Sequence, residues 1–90
     1  MSSFSAQKDP SAVLDYQMNW EPYLDSDLID SVLWIVPDGL ASEAETHDNT
    51  TATIWLSGGI TGMTYDVVCR VTTIGGRIDD RTIAICVKDK

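Results

Sequence analysis

Few side chains in this 90-residue sequence are suited to chemistry, and their spacing limits what each one does. The single histidine, His47, sits between Thr46 and Asp48 in a polar stretch. A general base needs a proton-bearing partner and a fixed orientation, and a polar loop supplies neither on its own. A Ser–His–Asp triad assembles only in space, so counting residues does not exclude one. The G-x-S-x-G nucleophile elbow is nevertheless absent, because Ser57 is followed by two glycines. The stretch DSDLID carries Asp25, Asp27 and Asp30 and invites calcium. An EF-hand loop starting at Asp25 requires glycine and glutamate where Asp30 and Val36 stand. A calcium site of another kind at the edge of a β-fold stays open. With one histidine and two cysteines, a structural zinc site is not expected.

The two thiols read as structural. In YDVVCRV, Cys69 shares the strand face of Tyr65, Val67 and Val71. In RTIAICV, Cys86 lies opposite the apolar set Ile83, Ile85 and Val87. If both apolar sets meet one core, the cysteines point to opposite sides of the sheet and no disulfide is expected. Reduced thiols suit a protein made in the cytosol. The opening MSSFSAQKDP has no hydrophobic leader core, so the NTT match at Asn49 reads as coincidence. GGRIDDR lacks the spacing of a phosphate loop. Arg77, Asp79 and Arg81 are expected to pair locally on one face of a hairpin. No catalytic residue, metal ligand or cofactor is assigned, and the chain does not read as an enzyme.

Those residues must be positioned by a small fold. The length suits one domain, and 43% hydrophobic with 22% charged residues is the composition of a folded chain, not a disordered one. Fourteen acidic against six basic residues give a formal charge of −8, which argues against nucleic acid and anionic membrane as partners. No apolar run approaches the roughly 20 residues that a membrane helix needs. Residues 1–12 read as a flexible N-terminal arm and residues 13–90 as the domain. Leu14, Tyr16, Met18 and Trp20 alternate on one face, so Leu14 to Met18 reads as a strand, which Pro22 ends in one helical turn at most; Trp20, Tyr23 and Leu24 are placed to plug one end of the fold. LIDSVLWIV has two competing registers, and the one with Trp34 inward is preferred. Strands over Leu40 to Glu45, Thr50 to Leu56, Tyr65 to Thr73 and Arg81 to Lys88 complete six or seven short elements joined by turn signals. This predicts an all-β fold, a small antiparallel immunoglobulin-like or fibronectin-type β-sandwich. Tyr65 at the start of its strand matches the tyrosine corner of such folds.

One stretch resists the simple pattern. In TATIWLSGG, Ala52, Ile54 and Leu56 form the core face, while Thr51, Thr53 and Trp55 face away. Three readings compete for Trp55. The arm or the segment WEPYL covers it; a one-residue bulge near Gly58 turns it inward; or it meets a partner.

From Lys8 onward the chain resembles the fiber–tail adaptors of tailed bacteriophages. The matching segments run in order: KDP with VLDY and NW; SVLWIVPDGL; TATIWLSGGITGMTYDV; and GGRIDDRTIAICVKD. The WLSGG turn, the S-x-x-W-x-V-P-x-G-L run and the G-R-x-D-x-R lead-in are the most distinctive. Asn19 stands where an aspartate usually precedes the tryptophan, and the two cysteines are not typical. The resemblance implies a virion structural protein of the tail, present in several copies in a ring and bridging a tail or connector protein to a fiber. Trp55, Trp20, Tyr23, Thr51 and Thr53 are then the expected partner contacts. Tyr65, Trp34, Gly58 and Gly59 are expected to be structural. The alternative is a capsid-decorating or carbohydrate-binding immunoglobulin-like module.

Overall fold

The computed structural model describes residues 2–88. The ends of the expected arm and domain, Met1, Asp89 and Lys90, lie outside the described residues. The chain runs β1 (Ser2–Lys8), β2 (Leu14–Asn19), α1 (Glu21–Leu24), β3 (Ile29–Ile35), β4 (Leu40–His47), β5 (Thr51–Gly58), β6 (Thr64–Thr73) and β7 (Ile78–Val87). Two sheets form, in the orders β1-β7-β6-β3 and β2-β5-β4. The result is an immunoglobulin-like β-sandwich.

Alternation builds the core between the sheets. Ala52, Ile54 and Leu56 of β5 meet Tyr65, Val67, Cys69 and Val71 of β6 and Ile83, Ile85 and Val87 of β7, all buried. Each large aliphatic side chain so enclosed contributes about 2 kcal/mol of transfer free energy. β3 takes the register with Trp34 inward, and Leu33 and Ile35 stay exposed. A bulge between Ile29 and Ser31 shifts the alternation, so Ile29 is buried and Leu28 is not. Both competing registers are therefore used, one on each side of Asp30.

The N-terminal segment departs from the expected arm. Ser2–Lys8 pair in parallel with β7, from Ser2 opposite Arg81 to Lys8 opposite Val87. The sequence gives little sign of this, because the pairing is supplied by the open edge of β7 and not by local propensity. Ala6 packs against the core. Lys8 is fully enclosed, and its ammonium donates to the carbonyls of Asp9 at 2.9 Å and Gly58 at 2.7 Å. The strand is thus fastened to the β5 end of the other sheet.

At that same end, Gly39 and Gly59 have positive φ, at 104° and 101°. A Cβ at Gly39 would lie 2.6 Å from Tyr65 Cε1, and one at Gly59 would lie 2.7 Å from Val87 Cγ2. Tyr65 Oη accepts a hydrogen bond from the Ile60 amide at 3.1 Å, the upstream backbone contact of a tyrosine corner.

Candidate functional site

β5 is the central strand of the three-stranded sheet, so its outward residues form the middle of an open face. Trp55 stands there, 41% exposed, opposite Asp15 of β2 and Ala44 of β4. Thr53 lies between Gln17 and Thr46, and Thr51 lies beside Asn19. Ala44 is too short to cover an indole. A bulge in β4 between Ser42 and Ala44 sets Glu43 over Ser57, whose hydroxyl donates to it at 2.6 Å. The bulge therefore lies opposite Trp55 and leaves it facing outward. β1 belongs to the other sheet and WEPYL to one end, so neither covers the ring. Of the three readings, covering by the arm and rotation by a bulge are both set aside.

The polar rim is short and partly fixed, with Asp15 and Glu43 as its charges. Threonine, glutamine and asparagine around one aromatic group suit contact with another surface. They provide no nucleophile–base pair.

Trp20, expected among the partner contacts, is a correction: it is fully enclosed. Its ring meets Tyr23 edge to face, with centroids 5.4 Å apart at 77°. Arg81 lies over the Trp20 ring at 4.3 Å, and Arg77 lies over Tyr23 at 4.7 Å. The indole closes one end of the sandwich because α1 begins at once after β2 and folds it inward. Tyr23 is half-buried there, away from Trp55. Of the five expected contacts, the structure brings together Trp55, Thr53 and Thr51 only.

The arginines also pair differently from the local arrangement expected. Arg77 reaches Asp27 at 3.3 Å and the Leu24 carbonyl at 2.7 Å. Arg70 and Asp80 form a two-pronged cross-strand pair at 2.7 and 3.0 Å. Long side chains cross between elements, which sequence spacing does not reveal. Asp27 also accepts the Gly75 amide at 3.0 Å, stapling the β6–β7 hairpin to the α1–β3 connection. Hydrogen bonding from the Thr73 hydroxyl, then from the amides of Leu28 and Gly75, holds its carboxyl down at about 2. Asp25 and Asp30 are exposed and stand apart from this staple.

His47 is exposed at the end of β4, with Nδ1 3.2 Å from the Asp48 carbonyl. Burial pushes the Cys69 thiol up to about 11, which keeps it protonated and unreactive at neutral pH. Both cysteines are free, with Cys69 in the core and Cys86 half-buried on the other face of its sheet. The residue that sequence reasoning missed is Lys8. A lysine after a polar run carries no sign that it will be enclosed on two carbonyls.

Comparison with known proteins places these observations in a family. The family model described as podophage GP4 fiber-tail adaptor protein gp77 matches residues 8–86. No curated protein matches the chain. Among solved structures, the solution structure of the PKD domain from KIAA 1837 protein is similar, with a TM-score of 0.55 and 20% identity. That match covers 99% of this chain and 80% of the other, and at such identity it shows the fold alone.

Proposed function

Because the chain belongs to the podophage fiber-tail adaptor family, we propose that it bridges the tail or connector to the tail fibers as one of several copies in a ring. It works by binding geometry and catalyses no reaction. Its partners are other virion proteins of the tail, and neither nucleic acid, membrane nor cofactor takes part. Synthesis in the host cytoplasm accords with the two free thiols.

The observation that carries this reading is the uncovered Trp55 at the centre of a polar sheet face. Covering its remaining surface removes roughly 80 Å² from water, worth about 2 kcal/mol, or about thirtyfold in affinity. Contacts of this kind dominate protein interfaces when water is excluded around them.

The test is quantitative mass spectrometry of purified particles. Copies in a small multiple suited to a closed ring, about a dozen to a few dozen, support the tail position. Hundreds of copies would indicate capsid decoration, and absence from the particle would defeat the adaptor reading.

A further inference from the structure

The sandwich has an open side. Among the described residues β3 pairs only with β6 and β4 only with β5, so consecutive strands of opposite sheets leave two free edges next to each other. Between them runs a cleft of about 200 Å³, lined by Val32 and Trp34 from β3 and by Glu45, Thr46 and His47 from β4. Trp34 is 7% exposed, and its indole Nε1 is enclosed without a hydrogen-bond acceptor. A cleft with an apolar floor and an exposed carboxylate on its wall is incomplete in the chain alone.

The other face of β3 is incomplete as well. Leu33 is 55% exposed and Ile35 42% exposed on an edge strand. Soluble proteins commonly protect such edges with lysine, proline, a bulge or a covering segment, and the β3 bulge at Ile29–Ser31 stops short of Leu33 and Ile35. Here no lysine or arginine occurs between Lys8 and Arg70, and most of the acidic residues lie in that stretch.

We propose that the β3 edge receives an extended, basic segment of a partner protein, added as a further strand beside β3. Such a strand presents side chains alternately to its two faces. Those on one face lie beside Leu33 and Ile35 and are apolar. Those on the other enter the cleft and are arginine or lysine, with the stem on Val32 and Trp34 and the charged head at Glu45. A second copy of this chain is the poorer occupant, since pairing two chains of charge −8 along acidic edges sets like charges together. The inference rests on the adaptor reading only in taking the partner to be a virion protein.

The experiment titrates isotope-labelled protein with a blocked eight-residue peptide of alternating valine and arginine. A control peptide carries glutamate in place of arginine. The expected result is a change in the Trp34 indole resonance, as a charged side chain enters beside the ring, and slowed amide exchange along β3, with the Trp55 indole unmoved and the control inert. Glu45→Gln should weaken the arginine peptide by about fivefold while leaving the fold intact.

No binding, equal binding of both peptides, or indifference to Glu45→Gln would each overturn the proposal. So would a response at Trp55 in place of Trp34. Protection of β3 that grows with protein concentration, without peptide, would assign the edge to a second copy and overturn it too. Particle composition decides the adaptor reading separately, so the two ideas fail by different measurements.

Discussion

Two tryptophans of the same chain have opposite fates, and substitution separates them. Trp55 is partly exposed and makes no ring contact among the described residues, so Trp55→Ala should leave thermal stability within about 1 kcal/mol. The same change should lower incorporation into particles, by up to about thirtyfold when the variant is limiting, measured by mass spectrometry of virions assembled with it. Trp20→Ala removes an enclosed indole and the platform under Arg81, and should cost about 3–5 kcal/mol in a urea melt. Asp27 gives a pH signature. Its folded carboxyl titrates at about 2, below the ordinary aspartate value, so its contribution is present above roughly pH 4 and is lost as pH falls toward 2. Asp27→Asn should flatten that part of the acid stability profile, and an unchanged profile would show that the staple adds nothing. The alternation of TATIWLSGG was enough to place Trp55 outward. For Trp20 the sequence left two roles open, end plug and partner contact, and the turn of the chain into α1 with arginines more than fifty residues away decides for the plug.

Among the elements, strands with strict alternation were legible and those held by distant partners were not. β5 and β6 lie within a residue or two of their expected limits because their core faces repeat every second residue. β7 begins at Ile78, earlier than expected, since Asp79 and Asp80 look like loop residues until Arg70 pairs across the ladder. β1 was invisible for a related reason: its partner is the last strand of the chain. Its fastening is testable. Lys8→Ala leaves the Gly58 carbonyl without its ammonium and opens a cavity, which should cost about 2–3 kcal/mol. Amide exchange should quicken along β1 before it does along β6. The Gly39 turn should prove equally sensitive. Gly39→Ala sets a Cβ against the Tyr65 ring at positive φ, and a loss of about 2 kcal/mol or more in the urea midpoint is expected.

For the whole molecule, the three-stranded sheet leaves a face centred on Trp55 open, and the sandwich leaves one side open beside Trp34. The fold class was readable from strand count and turn spacing, whereas the cleft required knowing that β3 and β4 end up on the same side in opposite sheets. The parallel pairing of β1 with β7 has a mechanical consequence. Tension applied between residues 2 and 88 pulls these neighbouring strands in opposite directions along their length, so their seven paired positions, Ser2 to Lys8, bear load together. The antiparallel β6–β7 hairpin, pulled at Thr64 and Val87, instead opens one pair at a time from its free end. Single-molecule stretching should therefore record a higher rupture force along the first axis than along the second. A tail component strained in that direction would resist by shear, at no added chemical cost.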